Sequence, residues 1–130
     1  MKVSDAMGTL RSTSDQTHKF WAYFQAFTAA AITLAWSVTS KAPVIVGLCA
    51  GYLIFSYFNR RLVVSSQTDA EKIWNAIQSY VEKTPQDVPR LLRGVTTTNK
   101  PETPERVKWL HLGMTALAAA VMLGRIPFLS

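Results

Sequence analysis

Residues Phe20–Asn59, FWAYFQAFTAAAITLAWSVTSKAPVIVGLCAGYLIFSYFN, contain one charged side chain, Lys41, which stands beside Pro43 in the middle of the stretch. This pattern predicts two membrane-spanning helices joined by a short turn. The first limb, Phe20–Val38, reaches ~28 Å as a helix and the second, Ala42–Phe58, ~25 Å, against a hydrocarbon core of about 30 Å. Pro43 suits the first turn of a helix, where its missing N–H costs nothing, so the link Thr39-Ser40-Lys41-Ala42 makes the two limbs antiparallel neighbours.

Further along the chain, residues 109–125 form a third apolar run. The apolar residues, 48% of 130, are gathered in these three blocks instead of being spread at globular periodicity. The expectation is a single all-α integral membrane domain with three transmembrane helices. It comprises a polar leader (1–19), the first span (20–38), the second (42–58), an amphipathic cytoplasmic segment and linker (59–108), and the third span (109–125).

The net charge of +6 is then a matter of orientation in the bilayer. Lys2, Arg11 and Lys19 precede the first span, Lys41 alone separates the first two, nine basic residues lie between Asn59 and Lys108, and Arg125 ends the third. The positive-inside rule puts the amino terminus and the middle segment in the cytoplasm, and the hairpin turn and carboxyl end outside. A bacterial inner (plasma) membrane is the expected location. No nucleic-acid-binding pattern accompanies the charge, so no nucleic-acid partner is expected. Aromatic residues at the span ends, including Trp21, Trp36, Tyr57 and Trp109, suit three spans; a protein crossing twice, with residues 109–125 buried or interfacial, is the alternative. The first run lies too far along for a secretory signal and reads as a retained anchor, and no lipidation motif is present. Cys49 is the only cysteine, which leaves no intramolecular disulfide to infer.

After Arg60 and Arg61, apolar side chains recur at Val63, Ala70, Trp74, Ile77 and Val81, widened by Ile73 and Tyr80. This is the pattern of an amphipathic helix, either continuing the second span or restarting at Thr68, with Glu71 completing a capping box. Pro85 should end it, a short piece around Asp87–Arg93 should follow, and Gly94 and a polar linker should lead to Thr103-Pro104-Glu105, the start of the third helix. The exposed apolar face, Ile73, Trp74, Ile77, Tyr80 and Val81, needs a cover: lipid headgroups, the base of its own bundle, or another chain. Its mixed charges favour protein. The spacing Val63, Gln67, Ala70, Trp74, Ile77, Val81, Thr84 also matches a short heptad seam, which gives slight support to self-association.

Small residues at helical spacing are the strongest pattern within the spans: Ala22, Ala26 and Ala30 in the first, Gly47 and Gly51 in the second, Ala116, Ala120 and Gly124 in the third. Such faces let helix backbones approach closely, which drives association in lipid. They either close a three-helix monomer or leave a face for an oligomer.

All eight carboxylates lie outside the three runs, so coupled transport through a buried acid is not expected. Gln25, Thr28, Thr33, Ser56 and Thr115, the polar groups within the spans, read as helix-to-helix or backbone hydrogen-bonding residues. No catalytic motif is present, and no enzyme activity or cofactor is expected. Arg60 and Arg61 read as anchors whose partner is lipid phosphate. The expected role is that of a structural or accessory subunit, or an oligomeric scaffold, in a homo-oligomer or larger membrane complex. An oligomeric pore or small-solute channel is the alternative. An anchor bearing haem on His18 and His111, or a quinone, is the third reading.

Overall fold

The computed structural model describes residues 3–37, 41–83 and 101–129, apart from the side chains of Val3 and Val81. Among these residues all regular structure is helical: α1 (Val3–Ala35), α2 (Ala42–Lys83), α3 (Pro104–Leu123) and a single 3-10 turn at Ile126–Phe128. The central element is α2, against which α1 and α3 both pack.

Contacts along the helices fix their directions. Leu10 and Ala6 of α1 cluster with Ala70 and Ile77 of α2, Thr17 meets Ser66, and Thr28 meets Tyr52, so α1 and α2 run antiparallel. Gln67 of α2 reaches the backbone of Glu102 just before α3, and Asn59 reaches His111, so α2 and α3 are antiparallel too.

All the buried residues of α2 except Gln67 follow one rule. Ile45, Cys49, Tyr52, Ser56, Asn59, Val63, Ser66, Ala70 and Ile77 are buried, and their spacing alternates between four and three residues until its last step. In α1, Ala6, Leu10, Thr17, Phe24, Ala31 and Ala35 keep the same period. This is the heptad spacing of helices that cross at a shallow angle and wind left-handedly around each other. The seam recognised from Val63 onward therefore begins at least two turns earlier, inside the second apolar run.

One expectation is corrected here and one open alternative is decided. Residues 1–19 are not a separate leader: from Val3 they are helical and continuous with the first apolar limb. Their apolar face covers the amphipathic part of α2, with Met7, Ile73 and Trp74 packed around Ala6, Leu10, Ala70 and Ile77. The seam offered to self-association is thus occupied, in part, by the chain's own amino-terminal turns. Of the two alternatives for the amphipathic helix, the structure takes continuation of the second run, with no restart at Thr68. Its hydroxyl donates to the carbonyl of Val64 at 2.8 Å, one turn back, inside an unbroken helix.

Other boundaries follow from local chemistry. Pro43 lies in the first turn of α2. Thr103 caps α3, its hydroxyl accepting from the Arg106 N–H at 3.4 Å, with Pro104 opening the helix and Glu105 in the first turn. At its other end α3 stops at Leu123, and the Gly124 N–H donates to the Ala120 carbonyl at 2.8 Å. The Pro85 stop, the short piece at 87–93, Gly94, Thr84 and Val38 at the end of the first limb lie outside the described residues.

Two helices, α2 and α3, carry stretches long and apolar enough to cross a membrane, and only 28% of each such stretch is buried inside the molecule. Leu53, Ile54, Phe58, Leu110, Leu117 and Leu123 are among the large apolar side chains left on the outside. The first limb does not reach the same mark: its helix stops at Ala35, and Trp21, Tyr23, Gln25, Thr28 and Thr33 dilute its apolar character.

Candidate functional site

Two apolar clusters fill the molecule. One lies among the apolar runs: Phe24, Ala31, Ala35, Ile45, Cys49, Tyr52, Ala118 and Met122. The other is the α1–α2 contact around Leu10 and Ile77. Between them sits a polar layer made by Thr17, Ser56, Asn59, Ser66, Gln67, His111 and Thr115, all buried.

At its centre Asn59 joins all three helices. Its amide Nδ2 donates to the Phe20 carbonyl of α1 at 3.1 Å, which leaves Oδ1 to accept from His111 Nε2 of α3 at 2.9 Å. The amide orientation thereby assigns the imidazole tautomer: the proton is on Nε2, and Nδ1 carries the lone pair. Thr115 Oγ1 lies 3.5 Å from Nδ1, but the hydroxyl also donates back to the His111 carbonyl at 2.9 Å. Aromatic rings enclose the imidazole, Phe24 with its centroid at 4.0 Å and Trp21 at 5.3 Å.

Further hydrogen bonds extend the layer on both sides. The Thr17 and Ser66 hydroxyls bond each other, and Gln67 Nε2 donates to the Glu102 carbonyl at 2.6 Å. Within the upper cluster the Thr28 hydroxyl donates to the Phe24 carbonyl at 2.7 Å, so the bond to Tyr52 at 2.8 Å takes its hydrogen from the tyrosine. Ser56 alone among the buried hydroxyls has no hydrogen-bond partner among the described residues. At the other end of the bundle Trp36 Nε1 donates to the Val121 carbonyl at 2.9 Å, and the Arg125 guanidinium lies 5.5 Å from the Trp36 ring.

Chemically this layer is a connector. Its hydrogen bonds are directional, they link α1 to α2 and α2 to α3, and a one-turn slip of any helix would break them together. A polar residue at a seam position sets register in this way. Among the described residues no three His, Cys, Asp or Glu side chains converge. His18 is exposed in a groove with Ser14 and Trp21, whereas His111 is enclosed and bonded through Nε2, so the two imidazoles occupy different surroundings.

The residues singled out from sequence fall elsewhere. Ala22, Ala26, Ala30, Ala116 and Ala120 are exposed on the outside of the bundle, where Ala31, Ala35 and Ala118 take the buried positions. A methyl group added at Gly47 or Gly51 would meet nothing within 4 Å. Gly124 ends α3, and an added Cβ would meet the Ala120 carbonyl oxygen at 3.1 Å. The small faces therefore do not close this monomer. Ile77 is buried and Ile73 and Trp74 are half-buried against α1, Tyr80 is exposed, and the Val81 side chain lies outside the described residues. The Arg60 and Arg61 guanidinium groups lie 5.7 and 5.9 Å from the Tyr57 ring, Arg60 half-buried and Arg61 exposed.

Asn59 and the connecting role of His111 were not recognised from sequence. The signal was available: stepping back from Val63 by four and three residues lands on Asn59, Ser56 and Tyr52. Comparisons with protein-family models, with curated proteins and with solved structures find no match to this chain.

Proposed function

We propose that this is a non-catalytic three-span membrane protein that serves as a structural or accessory subunit, or oligomeric scaffold, of a membrane assembly. In this reading the amino terminus and the α2–α3 connection are cytoplasmic and the carboxyl end is outside, as the distribution of basic residues favours. The first limb crosses the bilayer as α1, covered on one side by α2.

One observation carries the assembly reading: the outward direction of the small-residue faces. Helices attract in lipid by close backbone approach, and Gly47 and Gly51 lie open on α2 without a neighbouring side chain in the monomer. The bundle satisfies its own packing with other residues, so these faces remain for a second chain.

A photocrosslinker placed at position 51, through Gly51→Cys in a Cys49→Ala background, tests this in native membranes. The expected product is a protein adduct heavier than the 14.5 kDa chain, whether with a second copy or with another subunit. Adducts with lipid alone would overturn the assembly reading.

A further inference from the structure

We infer that a cleft between α2 and α3, lined by Tyr57, Arg60, Arg61, Val64, Ser65 and Lys108, seats the phosphate of an anionic phospholipid headgroup. This rests on the membrane placement proposed above and goes beyond it by naming a defined lipid seat on the surface.

The cleft measures ≈ 400 Å³, and three of its six lining residues are cationic. None of its walls is acidic. Among the described residues the ion pair of Arg106 with Glu102 is the single one, so none of the described carboxylates pairs with Arg60, Arg61 or Lys108. The Tyr57 ring lies under both guanidinium groups, which restrains two mobile cations side by side. Arginine forks suit phosphate oxygens, and Ser65 adds a hydroxyl to the same wall.

The surroundings select lipid over a free anion. A second cleft of ≈ 370 Å³ shares Arg61 and Ser65 and is otherwise walled by Phe58 and Leu62, both exposed. A phosphate bound by the cations would thus lie beside an apolar wall suited to an acyl chain. The depth is right as well: the exposed apolar surface of Leu53, Ile54 and Phe58 gives way to Arg60 and Arg61 on α2, while on α3 Lys108 precedes the interfacial Trp109. Basic pockets between helices on the cytoplasmic side recognise lipid headgroups in this manner.

Native mass spectrometry of the full chain in mild detergent provides the test, with phosphatidylglycerol, phosphatidylcholine or inorganic phosphate added. Preferential retention of phosphatidylglycerol over phosphatidylcholine is expected, as is its loss in Arg60→Gln/Arg61→Gln/Lys108→Gln. The milder Arg61→Gln/Lys108→Gln alters only exposed side chains and should weaken retention by about tenfold or more. Removing three charges elsewhere, by Arg11→Gln/Lys19→Gln/Arg106→Gln, should leave it unchanged. Equal retention of both lipids, retention unaffected by the double variant, or equal loss in the distant control would overturn the proposal. Displacement of phosphatidylglycerol by inorganic phosphate would overturn the lipid assignment. Membrane flotation of the same samples separates the two failures: a chain that floats without lipid preference loses only the seat, and one that does not float loses the membrane reading.

Discussion

Asn59 makes two helix-to-helix hydrogen bonds from a position with 5% of its surface exposed. Replacing it by leucine strands the His111 Nε2–H in an apolar site, and a buried donor without a partner costs about 1–3 kcal/mol. Asn59→Leu should therefore destabilise the bundle by that amount in reversible detergent unfolding. Asn59→Leu combined with His111→Phe should recover much of the loss, because it removes both polar partners and leaves an aromatic ring against Phe24. Ser56→Ala makes the opposite prediction. Its hydroxyl has no partner among the described residues, so its removal should change stability by less than about 1 kcal/mol or raise it. The distinction was hidden in the sequence, where Ser56, Asn59 and His111 are simply polar residues in or beside apolar runs; only the seam tells a connected side chain from an orphan one.

At the level of helices, two different forces hold one continuous α1–α2 pair. On the membrane placement proposed above, the surroundings of the apolar runs are as apolar as the helix faces, so hydrophobicity contributes little there and close packing with polar contacts must serve. On the same placement the cluster of Ala6, Leu10, Ala70 and Ile77 lies in water, where burying it removes apolar surface and drives contact directly. Leu10→Glu should break only this second part. Hydrogen exchange should rise across Ala70–Ile77 while the segment around Tyr52 stays protected; uniform protection would show that the amino-terminal turns are not the cover of α2. The same physics explains what could be read in advance. In the watery segment the polar and apolar faces differ, and the alternation from Val63 to Ile77 correctly marked the buried side at Ala70 and Ile77. Within the apolar runs both faces are hydrophobic, so the spacing of Ala22, Ala26 and Ala30 showed a stripe but not its direction, which proved to be outward. Residues 1–19 were passed over because their apolar positions are few and are separated by Ser, Thr and Asp; they become legible only as a heptad continuing into Phe24 and Ala31.

For the molecule as described, an apolar exterior along the hydrophobic runs gives way to a polar one over the first turns of α1 and the last turns of α2, around an interior joined by hydrogen bonds. Aromatic and basic residues gather where the apolar runs end, Trp36 with Arg125 at one side and Tyr57 with Arg60 and Arg61, midway along α2, at the other. The orientation proposed from the basic residues predicts a specific labelling pattern in intact cells. In a Cys49→Ala background, Leu129→Cys should react with a membrane-impermeant thiol reagent, whereas Ser4→Cys should react only after permeabilisation. The helical architecture and the two helices long and apolar enough to cross a membrane were legible from the gathering of apolar residues into blocks, which also suggested a third; the antiparallel hairpin required Pro43 and the short link after Val38. No sequence pattern identified an occupant for the outward faces, since a stripe of small residues shows where a backbone can approach and not which chain supplies it.

That occupant is the central claim, and native mass measurement after extraction in mild detergent tests it most directly, with identification of every copurifying chain. The account predicts a species heavier than one 14.5 kDa chain, and its dissociation by Gly47→Leu/Gly51→Leu without loss of helicity, because the monomer has open space at both positions. A lone monomer with no copurifying chain, unchanged by the same substitutions, would contradict it.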